Sequence, residues 1–348
     1  MTFKKHLITH QFTIKEALEK LNLLGRDAIL FVVDENECLF GSLTDGDVRR
    51  GLLKGYSIEK KVVDIIQPHP KYIRKGDADI NKIIKYREQN YKIIPILDKD
   101  SDRIINVVNF RKLKSYLPID AIVMAGGKGQ RLRPLTETTP KPLLEVGDKA
   151  IIDHNVDRLI GYGIDDFWIT LNYLGDQIET HFEKRNISGV DINFIQETKP
   201  LGTIGSLSNI EGLKHDHILL TNSDLLTNVD YESFYLDFLN AEADFSVLSI
   251  PYKVEIPYAI LEQDEKRVLG FQEKPTHTYW SNGGIYLMKK ELLDLIPKDA
   301  FYNATDLMDQ LISLNRKIIT YHHNGYWLDI GRIEEFNKAQ EDINRVQF

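Results

Sequence analysis

The sequence predicts an α/β protein in two parts, an N-terminal α+β unit over residues 1–118 and a larger α/β unit over residues 119–348. Three observations carry that prediction. A β-β-α pattern recurs in the first part with an offset of about 65 residues. A new apolar run, Ile119-Asp120-Ala121-Ile122-Val123-Met124, opens directly after Leu117-Pro118. That run passes without a break into a cluster of glycines. At 348 residues the chain suits about two domains, each long enough to bury its own core.

Composition narrows the function classes. No stretch reaches the roughly 18 uninterrupted apolar residues of a membrane span, and the first residues, MTFKKHLITHQF, have no signal-peptide core. A soluble, cytoplasmic protein without a membrane partner is expected. The single cysteine, Cys38, excludes an internal disulfide framework and a cysteine-based zinc knuckle. A formal net charge of −8 weighs against nucleic acid as the main partner, since phosphate backbones demand clustered Lys and Arg. The charge is uneven: 22 of the 44 basic and 16 of the 52 acidic side chains precede residue 119, leaving +6 before it and −14 after. Such asymmetry fits two domains with different ligands.

In the first part, Ile14-Lys15-Glu16-Ala17-Leu18 begins a helix and is echoed by Ile80-Asn81-Lys82-Ile83-Ile84. Ala28 to Asp34 and Leu39 to Leu43 read as two strands joined by a polar turn, echoed by Lys92 to Asp98 and Ile104 to Val108. A further helix is expected from near Asp45 in the first copy and near Phe110 in the second, closed by Leu117-Pro118. Two such units pack most simply with their sheets face to face.

This layout resembles a pair of CBS domains across residues 1–118. Its most telling stretch is Gly41-Ser42-Leu43-Thr44-Asp45-Gly46-Asp47-Val48-Arg49-Arg50, where Thr44 and Asp47 match the family's Ser/Thr-x-x-Asp element. The resemblance implies a regulatory unit that binds an adenine nucleotide, with Asp47 accepting ribose hydroxyls and Thr44 and the helix N-terminus facing phosphate. It also implies a homo-oligomer, because CBS pairs often associate. Taken alone, Thr44 and Asp47 are an N-cap and a first-turn acid that stabilise the helix. Asn109 and Lys112 stand at the equivalent places of the second copy, so at most one adenosine site of the usual kind is expected.

The second part opens with Ala125-Gly126-Gly127-Lys128-Gly129-Gln130-Arg131-Leu132-Arg133-Pro134-Leu135-Thr136, followed by Pro140-Lys141-Pro142-Leu143. Glycines after a strand let the backbone approach a ligand and aim N–H groups at phosphate oxygens. Neither the P-loop pattern nor the dinucleotide fingerprint is present. Lys128, Arg131, Arg133 and Lys141 gather cationic charge where a polyanion would lie.

The stretch resembles the signature of sugar-1-phosphate nucleotidylyltransferases, and further motifs follow in that family's order. They are Gln196 at a strand end, Pro200-Leu201-Gly202-Thr203-Ile204-Gly205-Ser206, Asn222-Ser223-Asp224, Pro257-Tyr258-Ala259, Glu273-Lys274-Pro275, Asn282-Gly283-Gly284 and Trp327-Leu328-Asp329. The resemblance implies the nucleotidyltransferase type A fold, a mixed, mostly parallel, Rossmann-like sheet. It implies attack of a sugar-1-phosphate oxygen on the α-phosphorus of a nucleoside triphosphate, with pyrophosphate leaving. Every reactant is an anion, so catalysis rests on charge neutralisation and positioning.

By the same resemblance, Mg²⁺ is the cofactor, held by Asp224 and Asp329. Arg131 grips the β- and γ-phosphates, Lys141 the phosphates flanking the reacting bond, and Asp224 completes the catalytic set. Ala125, Gly126, Gly127, Gly129, Gln196, Gly202 and Thr203 form the nucleotide site. Tyr258, Glu273, Lys274, Asn282 and Gly283 form the sugar-phosphate site. The glycine loop joined to a CBS pair is similar to guanylyltransferases that act on glucosamine-1-phosphate in legionaminic acid biosynthesis, implying GTP. Mannose-, heptose- or glucose-1-phosphate with GTP, dTTP or UTP stays open, as does a nucleotide-binding regulator without turnover.

Other features have plainer readings. Glu273-Lys274 alone is a solvated pair, and Asn282-Gly283 alone is a hairpin turn. His322 and His323 are adjacent on a strand and so point to opposite faces, which argues against a joint metal site. Trp327 is expected to pack on the core, and Tyr231 to Leu239 to form an amphipathic helix.

Overall fold

Thr13 fixes where the first helix begins. Its side chain accepts the Glu16 N–H at 3.2 Å while Glu16 accepts the Thr13 N–H at 2.7 Å, a reciprocal cap that satisfies two orphan donors. Helix α1 (Ile14–Leu24) then buries Ile14, Ala17 and Leu21 along one stripe. It connects β1 (Leu7–Thr9) to β2 (Ile29–Val33), which pairs with β3 (Leu39–Thr44) before α2 (Asp45–Leu53). The computed structural model describes residues 3–76 and 79–346.

The same unit recurs as β4 (Ile73–Arg74), α3 (Ile80–Glu88), β5 (Ile93–Leu97) and β6 (Ile104–Asn109). Both three-stranded sheets run first strand parallel to second and second antiparallel to third. Even their irregularities coincide, between Val32 and Val33 in one copy and Ile96 and Leu97 in the other. Phe31 and Val33 from one sheet meet Ile93, Leu97 and Ile104 from the other, so the sheets face each other across a shared apolar layer.

The helix expected from Phe110 does not form. Asn109 Oδ1 accepts the Arg111 N–H at 3.0 Å and the Asn109 carbonyl accepts from Lys112 and Leu113, each at 2.9 Å, closing a single turn. Backbone groups beyond it are taken by tertiary partners: Lys114 N–H donates to Gly161 O at 2.7 Å and Leu117 N–H to Tyr162 O at 3.0 Å. Gly163, at φ +78°, admits this close passage, since a Cβ there would lie 2.5 Å from the Ser115 carbonyl.

The second part is a seven-stranded mixed sheet. Its parallel half comprises β7 (Asp120–Met124), β10 (Asp166–Leu171), β11 (Asp191–Gln196) and β12 (His217–Asn222), ordered β11-β10-β7-β12. A small hairpin of β8 (Glu145–Val146) and β9 (Lys149–Ala150) leads into α4 (Ile151–Gly161), and α5 (Gly175–Arg185) joins β10 to β11. After β13 (Leu225–Thr227) and α6 (Tyr231–Asn240), the sheet is completed by β14 (Phe245–Glu255), β17 (Thr276–Lys289) and β18 (Ile318–His322). Helix α7 (Ala304–Ser313), β19 (Trp327–Asp329) and α8 (Ile333–Asp342) close the chain.

Both faces of the sheet are covered, as the alternation in β7 requires. Ala121 and Val123 face a core with Val156, Ile178 and Phe234 from α4, α5 and α6. Ile122 faces the opposite core with Leu307 and Leu311 from α7. Each fully buried large apolar side chain contributes about 1.5–3 kcal/mol, so these layers hold the strand ends in place. The outer halves of β14 and β17 run on together as an exposed ribbon, tipped by the hairpin β15 (Ile260–Asp264) and β16 (Arg267–Gln272).

The repeat unit is clamped to this sheet. Ile80 of α3 enters the same core as Val156. Arg87 grips Glu232 of α6 with two hydrogen bonds of 2.9 and 2.7 Å. No helix among the described residues is long and apolar enough to cross a membrane.

Candidate active site

The carboxyl ends of β7 and β12 lie side by side, Met124 opposite Asn222, and open into a cavity of about 710 Å³. A cleft beyond the carboxyl ends of parallel strands is where open α/β sheets bind ligands. The glycine loop forms one wall. Gly129 adopts φ +59°, and a Cβ there would meet Lys141 and Thr136 at 3.0 Å. The Gly129 carbonyl also accepts the Thr136 hydroxyl at 2.8 Å, which pins the turn. Gly127 has open space in front of it.

Part of the cavity lining is charged. Lys128, Arg131, Lys141 and Asp224 line it. Asp224 and Asp329, far apart in sequence, meet because β13 and β19 pair antiparallel with Leu225 opposite Asp329, and Ile330 N–H donates to Asp224 O at 3.0 Å. Lys141 Nζ is ion-paired with Asp224 Oδ2 and lies 3.9 Å from Asp329 Oδ1. Burial, and then the neighbouring Asp224 charge, raises the Asp329 pKa, with Lys141 opposing both.

This donor set fits a divalent cation. Asp224 Oδ1 and Asp329 Oδ1 are buried, with no hydrogen-bond partner among the described residues. Two carboxylates with open oxygens beside Lys141 match the sparse protein ligation of Mg²⁺. Arg131 stands next to Gly331, where a Cβ would fall 3.1 Å from its Nη2.

The lining also includes Met124, Pro200 and Leu201 with Gly126, Gly202 and Thr203. Gly202 adopts φ +78° against the Tyr302 carbonyl. Thr203 caps α7, its N–H donating to Asn303 Oδ1 at 3.2 Å and its hydroxyl accepting the Ala304 N–H at 2.9 Å. Two expected nucleotide residues do not line the cavity. Ala125 is buried and its N–H is donated to Thr170 O at 3.1 Å. Gln196 turns its side chain toward Gly175 on the opposite face. Glu197 takes the place at the cavity wall, with Thr170 and Asn172. Strand alternation is the signal that finds it: the residue after Gln196 must face the other way.

The sugar-side residues are dispersed. Tyr258, 76% exposed, and Glu273 and Lys274 sit on the projecting ribbon, and none lines the cavity. Asn282 and Gly283 are not a turn; they lie within β17, Asn282 opposite Ser249. Neither lines the cavity, although the next residue, Gly284, packs against Asn222, which does: a Cβ there would fall 2.6 Å from Asn222 Nδ2. Trp327 donates its indole N–H to Gly283 O at 2.9 Å and packs on the core as expected. His322 stacks on Trp280 while His323 is buried on the other side.

In the repeat unit, Thr44 and Asp47 form a capping box: Thr44 N–H and hydroxyl donate to Asp47 Oδ2 at 2.9 and 2.6 Å. Asp47 Oδ1 accepts from Gln67 at 3.1 Å and is ion-paired with Arg50. Burial works to raise the Asp47 pKa, but these hydrogen bonds outweigh it and hold the carboxyl below its ordinary value. Both oxygens are engaged within the protein. A separate buried group, Asp165, Asp166 and His215, has metal-like spacing but lies at the amino edge of the sheet, away from the cavity. Lys75 and Lys214 reach Asp166 at 2.9 and 2.6 Å, standing where a cation would.

Residues 120–346 match the sequence profile of the nucleotidyl transferase family. The chain belongs to that family. This nucleotidyl transferase is 30% identical over 234 residues to a mannose-1-phosphate guanylyltransferase of Mycobacterium tuberculosis, covering 65% of each chain. It is 28% identical over 228 residues to the D-glycero-alpha-D-manno-heptose 1-phosphate guanylyltransferase of Aneurinibacillus thermoaerophilus, covering 65% of this chain and 98% of that one. The solved structure of HddC from Yersinia pseudotuberculosis complexed with GMP-PN superposes with a TM-score of 0.51 at 25% identity, over 65% of this chain and 99% of that one. The chain thus spans about two thirds of the mycobacterial relative and nearly all of the other two.

Proposed function

We propose that this nucleotidyl transferase is a Mg²⁺-dependent sugar-1-phosphate guanylyltransferase. One observation carries the reading: a single cavity is lined both by Lys128, Arg131, Lys141 and Asp224 and by glycines and apolar groups, Gly126, Gly127, Gly202, Pro200 and Leu201, suited to a flat base. A nucleoside triphosphate laid along it would set its α-phosphorus near Lys141 and Asp224. The sugar-phosphate oxygen attacks that phosphorus, the bond to the β-phosphate breaks, and pyrophosphate leaves. Arg131 and Lys128 neutralise the departing charge, and Lys141 holds the phosphates in line. Asp224 and Asp329 would hold Mg²⁺, which supplies further charge neutralisation when bound.

GTP is supported by the guanylyltransferase relatives and by HddC with GMP-PN. For the sugar, the resemblance to legionaminic acid enzymes favours glucosamine-1-phosphate, and the relatives' names favour mannose- or heptose-1-phosphate. Asn282 and Gly283, one residue from the Gly284–Asn222 contact, are the proposed sugar contacts, with Tyr258, Glu273 and Lys274 reaching from the ribbon. The test is pyrophosphate release with Mg²⁺, crossing five nucleoside triphosphates with glucosamine-, mannose-, heptose- and glucose-1-phosphate. A strong GTP pairing is expected. Silence with every pair, together with no GTP binding, overturns the reading.

We further propose that residues 1–118 are a tandem CBS unit of a cytoplasmic homo-oligomer, tuning the enzyme through the Arg87–Glu232 clamp. The matched sheets support it. An adenine nucleotide at Asp47 would have to displace Gln67 and Arg50. Calorimetry with AMP, ADP and ATP tests this, and absence of binding by all three overturns it.

A further inference from the structure

We propose that the projecting ribbon of β14 and β17 is the face on which a second copy of this chain docks, and that docking fixes the ribbon's sugar contacts; the second half rests on the nucleotidyl-transfer reading. Beyond Ser249, where pairing with β18 ends, β14 runs on against β17 with Tyr252 opposite Tyr279 and Val254 opposite His277. Directly opposed residues of an antiparallel pair point to the same side, so Tyr252, Val254 and Tyr279 form one apolar face. The reverse face carries Lys253, Glu255, Thr276 and Thr278, with Trp280 stacked on His322 at its root. The tip adds Leu261 opposite Phe271. Such alternation is that of a sheet packed on one side. Yet every residue from 251 to 282 is at least partly exposed, and Tyr252, Phe271 and Tyr279 are 61%, 67% and 59% exposed.

A two-stranded ribbon is marginal in water by itself, so this face calls for a cover. At about 150–250 Å² for each aromatic side chain, Tyr252, Val254, Leu261, Leu269, Phe271 and Tyr279 together offer roughly 600–700 Å² of apolar surface. Two copies would bury about 1,200–1,400 Å², which reaches the size of a stable specific interface. A two-fold axis sets like side chains against each other, which penalises charge. The apolar face bears no carboxylate, lysine or arginine; Lys253 and Glu255 stand on the reverse face. A lipid surface would want a basic rim, whereas residues 250–281 hold five acidic and four basic side chains. Tyr258, Glu273 and Lys274 lie in the two links between the paired arms and the tip, so a partner that holds arms and tip also holds them.

The test is sedimentation of the full-length protein, with turnover measured in parallel. Wild type is expected at twice the mass of the chain or an even multiple of it. Tyr279→Glu sets like charges across the two-fold axis and should halve that mass, with far-UV circular dichroism unchanged because the side chain is exposed; Tyr252→Glu should do the same. Lys253→Glu, on the reverse face, should keep the wild-type mass. Tyr279→Glu should also raise the KM for the sugar phosphate that wild type turns over by at least about tenfold, what one charge-assisted hydrogen bond is worth. A monomeric wild type overturns docking, and its flotation with anionic vesicles would assign the face to lipid instead. Wild-type mass in both tyrosine variants, as association through the repeat unit alone would give, overturns it too. Halved mass without turnover by wild type sustains the interface and sinks the transfer reading, while turnover with the mass intact in both variants does the reverse. Halved mass with an unchanged KM sustains docking and overturns its link to the sugar.

Discussion

Lys141 and Asp224 form an ion pair on the cavity wall, where the lysine, 8% exposed, also lies 3.9 Å from Asp329. Removing one partner from such a pair leaves an uncompensated charge, which costs more than the pair contributes. Lys141→Ala leaves Asp224 and Asp329 facing each other without that cation. Pyrophosphate release is expected to fall by about 10²–10³, the usual effect of losing one preorganised charge. The variant should also gain more thermal stability from added Mg²⁺ than wild type does, because the metal replaces the missing charge. Activity within about threefold of wild type would remove Lys141 from the machinery.

The two carboxylates carry the metal prediction. Asp224→Asn and Asp329→Asn keep the shape of each side chain but remove the charge beside the unpaired Oδ1 atoms. Each is expected to lower turnover by at least about 10³, in line with loss of a metal site, while GTP binding weakens far less. Measuring turnover against Mg²⁺ concentration checks it: partial recovery at high Mg²⁺ supports metal ligation, and unaltered Mg²⁺ dependence rejects it.

Gly202 makes a backbone prediction. It holds φ +78°, and a Cβ would come within 2.6 Å of Tyr302 O and 2.9 Å of Asn303 Oδ1. Gly202→Ala combines a left-handed conformation with a clash against backbone, and should cost about 2–4 kcal/mol in urea unfolding. Since Thr203 next to it caps α7, the KM for the triphosphate should rise more than kcat falls. A stability loss under about 0.5 kcal/mol would mean the loop relaxes freely.

Legibility in the sequence followed the range of the forces involved. The strands around Val32, Ile96 and Ile122 and the glycine loop are set by alternation and local backbone demand, and they stand where the pattern puts them. The helix from Phe110 fails because Gly161 and Tyr162, distant in sequence, take the backbone groups of Lys114 and Leu117. Ala125 and Gln196 match the motif but do not line the cavity, whereas Glu197 does. Alternation puts Gln196 and Glu197 on opposite faces, but which face borders the cavity is decided by the ladder with Leu171, which no local window contains. Asp224 and Asp329 could be read as partners only by resemblance, since their meeting depends on β13 pairing with β19.

Asp165 supplies a pH prediction with a definite sign. Burial pushes its pKa from 3.8 up to about 6, despite Lys75 at 3.4 Å, while His215, Lys75 and Lys214 offset the burial of Asp166 and hold that carboxyl well below the usual range. A carboxyl whose folded pKa is raised binds protons more tightly in the folded state, so its contribution is present below pH 3.8 and is lost as pH rises through about 6. The step from 3.8 to about 6 corresponds to at most about 3 kcal/mol. Asp165→Asn mimics the protonated form and can still accept the Tyr116 hydroxyl, now 3.3 Å from Oδ2. The variant should therefore be more stable than wild type by about 1–3 kcal/mol at pH 8, with the difference shrinking toward zero below pH 4. Urea unfolding of both proteins across pH 4–8 measures this directly. A difference independent of pH would mean that Lys75 already keeps Asp165 ionised throughout, and that the contact between the repeat unit and the sheet is an ordinary ion pair.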